Sequence, residues 1–222
     1  MTRRTTPPFA AALPSEGAAV ARRTTPPSGV AVVPATAERW PDVMTVMGGS
    51  GGDRGCWCQY YRWSSSEFSA LGAGGGRRAL ERQVTDGPPP GLLAYIDGLP
   101  VGWCGIGPRR EMGRLVRSRT IPLIDDMPVW SILCFLIRPG YRRRGVARAL
   151  LAGVVAYAGD NGAPALEAYP IDAEGQRLDV TLSYVGFTST FEAAGFRRVV
   201  ETAGKSAGRP RWLMRLDLGG PA

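Results

Sequence analysis

The chain has no histidine in its 222 residues. That absence removes a Ser-His-Asp triad, a Cys-His nucleophile pair and any His-ligated metal centre. Cysteine is scarce, with only Cys56, Cys58, Cys104 and Cys134. The C-x-C spacing of the first two does not suit zinc and no second pair completes a site, so no metal is expected. So few thiols in a chain this long do not make a disulfide framework, which points to a reducing compartment and a cytoplasmic location. Cys104 and Cys134 sit in apolar runs and read as small core residues. No run of 18 apolar residues is present, so no membrane-spanning helix is expected. The early arginines are not followed by the continuous apolar stretch of a secretion signal. There is no Walker A pattern. Gly49 and Gly51 begin a G-x-G-x-x-G, but Arg54 stands where the third glycine should be, and the flanks are not strand and helix.

What is present fits a globular domain with a core: 44% hydrophobic and 21% charged residues, with a net charge of +8. Residues 1–28 carry four Arg and one Glu, so this segment contributes +3 and leaves +5 for the rest. It is rich in Pro, Thr, Ala and Arg, and it repeats Arg-Arg-Thr-Thr-Pro-Pro at residues 3–8 and 22–27. That composition predicts a disordered tail followed by one domain over residues 29–222. The basic balance suits an anionic ligand. A nucleic-acid partner is not expected, since no helix-turn-helix, zinc or aromatic-sheet pattern accompanies the arginines.

The apolar patterning predicts strands at residues 30–33, 92–96, 99–107, 130–137, 165–168, 197–201 and 211–218. Asp97-Gly98 is a strong hairpin turn between the second and third. Helices are expected at residues 38–47 and 76–84, after Gly145, and over residues 187–194, with a short basic helix at residues 109–119. This alternation is an α/β fold with a mixed sheet. Its most informative part is the run from Trp130 to Leu151. An eight-residue apolar strand is broken by Pro139-Gly140, and a basic turn follows. The next helix then places Ala147, Leu150, Leu151, Val154, Val155 and Ala158 on one stripe. A strand feeding a helix through a glycine turn aims free N–H groups and the positive helix end at one spot, which suits phosphate.

The turn Arg142-Arg143-Arg144-Gly145-Val146-Ala147 resembles the Q/R-x-x-G-x-G/A acyl-CoA loop of the GNAT N-acetyltransferase superfamily, in the strand–loop–helix context that loop requires. Cys56-Trp57-Cys58, Val129-Trp130-Ser131-Ile132, Glu167-Ala168-Tyr169-Pro170 and Phe191-Glu192-Ala193-Ala194-Gly195-Phe196 resemble a bacterial GNAT subgroup. The resemblance spans roughly residues 30–218. It implies a mixed, mostly antiparallel central sheet flanked by helices, with acetyl-CoA as co-substrate and no metal. It also implies that main-chain groups of Phe135, Leu136 and Ile137 hold the pantetheine arm. N–H groups of Arg143, Arg144, Gly145, Val146, Ala147 and Arg148, with Arg142 alongside, would hold the pyrophosphate.

The sequence departs from the family's usual catalysts. Ser131 stands where many members have a strand Glu, and Phe191 where many have a Tyr acid. Tyr184 is the substitute acid, with Ser183, Thr188 and Ser189 nearby. Asp125, Asp126 and Glu167 are carboxylates that could take the amine proton, or could be ordinary caps and surface charges. The Cys56–Trp63 run, with Trp57, Cys58 and Tyr61, together with Tyr169, reads either as acceptor-pocket wall or as aromatic packing; aromatic faces over a cation would suit an amine. The expected activity is acetyl transfer to a primary amine, by a monomer or homodimer that uses no membrane. A small-molecule acceptor goes with a closed aromatic pocket, a protein acceptor with an open groove. A CoA-binding module without catalysis is the rival that Ser131 and Phe191 support.

Overall fold

The computed structural model describes residues 29–48, 55–175, 184–206 and 208–219. The expected tail at residues 1–28, Ser183 and Gly49, Gly51 and Arg54 of the glycine-rich loop lie outside them. Seven strands form one sheet: β1 (Ala31–Pro34), β2 (Gly91–Ile96), β3 (Leu99–Pro108), β4 (Trp130–Ile137), β5 (Ala165–Ala168), β6 (Arg197–Ser206) and β7 (Arg209–Asp217). Their spatial order is β1-β2-β3-β4-β5-β7-β6, and among the named strands only β4 and β5 run parallel. Asp97 and Gly98 both have positive φ (50° and 76°), so the β2–β3 hairpin turns through the type I′ geometry that Asp-Gly favours.

Among the described residues six helices flank the sheet: α1 (Trp40–Met47), α2 (Ser65–Ala70), α3 (Gly75–Asp86), α4 (Gly113–Val116), α5 (Val146–Asp160) and α6 (Thr188–Glu192). One face is covered by α5, which buries Val146, Ala149, Leu150, Leu151, Val154 and Ala158. Its buried stripe is therefore centred one step from the expected one, with Ala147 and Val155 only half-buried. Glycines set its approach. A Cβ on Gly153 would lie 2.5 Å from Val32 Cγ1, and one on Gly102 would lie 2.8 Å from Val146 Cγ1. The other face carries α1, α3 and the aromatic segment, around Trp57, Tyr61, Leu80, Trp103, Leu133 and Tyr169.

Two expectations are corrected. The basic helix at residues 109–119 is a 3-10 turn (Arg109–Glu111) followed by the single turn of α4. Gly113 sits against the Arg62 carbonyl and the Ser64 N–H, 3.3 and 3.4 Å from where a Cβ would stand, and this contact fixes the break. Helix α2 was not expected. It is started by a capping box: the Glu67 N–H donates to Ser64 Oγ at 3.3 Å, and the Ser64 N–H donates to Glu67 Oε2 at 2.8 Å. Among the described residues no helix is long and apolar enough to cross a membrane.

Candidate active site

The site begins where the sheet comes apart. β4 pairs with β5 only at Trp130–Leu166 and Ser131–Glu167. Just beyond, β4 carries a bulge: Ile132 faces Ile106 and Cys134 faces Gly105, so Leu133 is the extra residue. An extra residue bends its strand and ends regular pairing. Leu133 and Cys134 consequently pack on the same side of the sheet although they are consecutive. Past the bulge the gap is crossed by the main chain that leads into α6. The Phe135 N–H donates to the Tyr184 carbonyl at 2.7 Å, the Ile171 N–H to Gly186 O at 3.2 Å and the Thr188 N–H to Ile171 O at 3.0 Å.

Of the three residues expected to present main-chain groups, Phe135 and Ile137 face this gap. Leu136 does not. It pairs with Trp103, and two residues on the Arg138 N–H donates to Val101 O, so by ladder alternation Leu136 turns its polar groups toward β3. The far end of the gap leads to the start of α5. Gly140, Arg143 and Gly145 all have positive φ (86°, 62° and 80°), which folds the turn back onto the helix. No side chain caps α5 and no acid lies in its first turn. The N–H groups of Val146, Ala147 and Arg148 therefore open this 15-residue helix beside the exposed Arg142, Arg143 and Arg144. Arg142 Nε reaches Ile137 O at 3.4 Å, and Arg144 lies over the Tyr141 ring at 5.4 Å. Uncapped donors with three guanidiniums fit a diphosphate.

At the seam itself, several candidate residues form one buried network. Glu167 is fully buried and accepts from Arg109 Nη1 at 3.0 Å, from Arg215 Nη2 at 2.7 Å and from the Tyr169 hydroxyl at 3.0 Å. Ser131 Oγ shares a hydrogen bond with the same hydroxyl at 2.9 Å. Arg215 also holds Asp125, whose carboxyl this contact keeps below the usual range. Burial, with Glu167 beside it, pushes the Tyr169 phenol up, so Tyr169 stays neutral. Both Glu167 oxygens are thus occupied by guanidiniums. Asp126, next to Asp125, is exposed in the loop before β4. Arg109 and Arg215 escaped sequence reading because arginine in a basic chain reads as surface; no periodicity marks an arginine as buried and paired.

The aromatic segment divides. Trp57 and Cys58 are both buried with positive φ (46° and 56°) and turn inward. Trp57 packs 6.5 Å from Trp40. Cys58 Sγ lies 2.8 Å from Cys134 Sγ, and that hydrogen bond lowers the Cys58 pKa while raising that of Cys134. These two residues are core, not pocket wall. Tyr60 and Tyr61 instead line a cleft of about 390 Å³, together with Tyr184, Arg114, Lys205 and Arg211. Tyr184 therefore belongs to both the gap and the cleft. Burial, and then the Tyr61 phenol beside it, raise its own phenol pKa, so it is held protonated. Arg211 donates from Nη1 to the Tyr61 hydroxyl and from Nε to Tyr169 O at 2.7 Å. The aromatic faces are already taken by the protein's own cations: Arg114 lies 4.1 Å above Tyr60 and Arg211 5.4 Å from the Tyr61 ring. An ammonium on these rings would have to share them with those guanidiniums.

Comparison with known proteins agrees with this fold. No curated protein sequence matches the chain. Among solved structures, a Corynebacterium glutamicum protein described as histone acetyltransferase HPA2 and related acetyltransferase is 18% identical, with TM-score 0.53, covering 87% of this chain and 98% of that one. A GNAT-family acetyltransferase from Streptococcus agalactiae is 12% identical, with TM-score 0.50, covering 86% and 96%. The yncA protein of Salmonella typhimurium, solved with its cofactor acetyl-CoA, is 14% identical, with TM-score 0.47, covering 88% and 97%. At these identities the likeness is one of fold. The sequence model of the acetyltransferase (GNAT) family matches residues 57–177, which is 121 of the 222 residues and includes the bulged strand, the basic turn and α5. The chain belongs to the GNAT family of acetyltransferases.

Proposed function

We propose that the chain moves an acetyl group from acetyl-CoA to the primary amine of a small molecule, in the cytoplasm, by direct attack. The observation that carries this reading is the position of Tyr184: its carbonyl meets β4 inside the gap and its residue lines the cleft, so donor and acceptor channels meet there. Acetyl-CoA, when bound, supplies an acyl group activated as a thioester. The α5 N-terminus with Arg142, Arg143 and Arg144 holds its diphosphate, and Phe135 and Ile137 offer main-chain groups to the arm. Phe135 then exchanges its Tyr184 partner for the ligand. In the transfer the amine nitrogen bonds the carbonyl carbon, the C–S bond breaks, the sulfur gains a proton and the ammonium formed loses one. The protonated Tyr184 phenol donates the first. With no carboxylate among the described residues that line the cleft, water takes the second and returns a proton to the phenolate. Ser131, Glu167 and Tyr169 support the seam behind the reacting atoms, and Asp126 remains at the surface.

Calorimetry with acetyl-CoA and thiol release over an amine panel test this reading. Gly145→Glu places a side chain and a negative charge at the start of α5, where the φ of 80° already disfavours it. Binding should vanish in a folded Gly145→Glu protein; retained affinity would remove the site.

A further inference from the structure

The cleft beside Tyr184 has an unusual charge balance. Among the described residues its walls carry Arg114, Arg117, Lys205 and Arg211 and no Asp or Glu. Of these, only Arg117 has a carboxylate within ion-pair reach among the described residues, a 3.9 Å contact with exposed Glu67. Arg211 is the decisive one. It is 5% exposed, and among the described residues its bonds go to a phenol and a peptide carbonyl and to no carboxylate. The other buried arginines of this face, Arg109 and Arg215, each pair with Glu167. A buried guanidinium without a counter-ion is costly, and residues in such a position are held there by the fold around a wet or ligand-filled cavity. Arg211 is fixed by Tyr169 O and by stacking between the Tyr61 and Tyr169 rings at 5.4 and 5.6 Å. Its fork is thus oriented before any ligand arrives, the condition under which Arg binds a planar or tetrahedral oxyanion well.

We infer that the acceptor is a small amine that also carries an oxyanion, a carboxylate or a phosphate monoester, and that Arg211 with Arg114 and Lys205 binds that group. This deepens the acetyltransferase reading and rests on it. The oxyanion on these cations would leave the amine at the Tyr184 end of the cleft, beside the gap. The same cations favour the neutral form of a nearby amine over its ammonium. They supply what a carboxylate base would otherwise have to supply, and they repel polycationic acceptors such as lysine-rich protein segments.

The test uses the full chain and matched probes: L-leucine against L-leucinamide, 2-aminoethyl phosphate against ethanolamine, and spermidine as the polycation. Acetyl transfer is read by thiol release, and binding without turnover by the shift in melting temperature. The oxyanion member of at least one pair should exceed its neutral partner at least ~30-fold in kcat/KM, the scale of one close charge pair. It should also raise the melting temperature where the partner does not. Which pair responds separates carboxylate from phosphate. Arg211→Lys tests the fork directly. Should that variant fail to fold, Arg114→Gln/Lys205→Gln at the half-exposed and exposed positions should raise KM for the oxyanion probe while leaving acetyl-CoA affinity unchanged. Turnover of ethanolamine, leucinamide or spermidine equal to or above that of the oxyanion probes overturns the inference and leaves the acetyltransferase intact. Absence of a thermal shift with either oxyanion probe also overturns it. Loss of acetyl-CoA binding in the wild type, by contrast, overturns the acetyltransferase reading itself.

Discussion

The Phe135 N–H donates to the Tyr184 carbonyl across 2.7 Å, so the strand that should face a ligand is bonded to the chain's own approach to α6. Gly186 shapes that approach: its φ is 81°, and a Cβ there would meet Phe191 Cε2 at 2.9 Å. Gly186→Ala therefore combines a left-handed backbone with a core clash and should cost about 1–3 kcal/mol. Urea denaturation gives the value, and an unchanged midpoint would mean that the segment is held differently.

Glu167 should behave as a structural anion. Glu167→Ala leaves Arg109 and Arg215 buried without their shared partner, and a broken buried pair costs about 3–5 kcal/mol. The loss should appear in the denaturation midpoint. Activity per folded molecule should fall far less than for Tyr184→Phe; the reverse ranking would make Glu167 part of the chemistry.

Tyr184→Phe should lower kcat on the order of 100-fold, the usual scale of a lost general acid, with little change in KM for acetyl-CoA. Burial raises the Tyr184 pKa above the ordinary tyrosine value near 10. The rate should therefore show no fall from phenol ionisation below about pH 10. An equal kcat for the two proteins across the pH range removes Tyr184 as donor.

Phe191→Tyr tests the position where relatives of this kind often carry a phenol. Here the ring is fully buried between Phe135 and Phe196, at 6.0 and 5.1 Å. An added hydroxyl would crowd this apolar packing and should cost about 1–3 kcal/mol without raising the rate. A faster, equally stable variant would show that the helix can turn that position toward the gap.

Asp125 sets an acid limit. Its pairing with Arg215 lowers its folded pKa below the ordinary carboxyl value, so the unfolded chain takes up this proton first as pH falls. The stability it contributes is present above about pH 4, the unfolded carboxyl value, and is lost as pH drops through the lower folded value. Melting temperatures from pH 6 down to pH 3 should fall less steeply in Asp125→Asn than in the wild type; parallel curves would exclude the link.

Much of the fold was legible because its signals are local. Asp97-Gly98 declares its hairpin, and the apolar strand, basic turn and apolar stripe declare the β4–turn–α5 unit. Ser64-x-x-Glu67 was equally legible as a helix start, yet it lies in a Ser-rich stretch without an apolar stripe, so periodicity passed over it. The candidate site was legible only in part. Nothing in the spacing of Arg109, Glu167 and Arg215 reveals that three distant charges meet in the core. Nor does the aromatic run reveal that Trp57 and Cys58 turn inward while Tyr61 turns to the cleft, since two left-handed residues make that choice. Arg211 was unreadable for the same reason: its separation from the carboxylates among the described residues exists only once the strands are assembled.

The two-residue contact between β4 and β5 divides the sheet into an antiparallel plate of β1 to β4 and another of β5, β7 and β6. Within each plate, many pairings join strands that are neighbours in sequence. Between the plates, the backbone ladder is almost absent, and side chains of Arg109, Ser131, Glu167, Tyr169 and Arg215 take its place. Such a joint resists separation but tolerates rotation, because ion pairs and hydroxyls reorient more readily than a peptide ladder shears. In this sense the domain is two ladders joined by a polar seam, and the proposed thioester channel would lie where the seam parts.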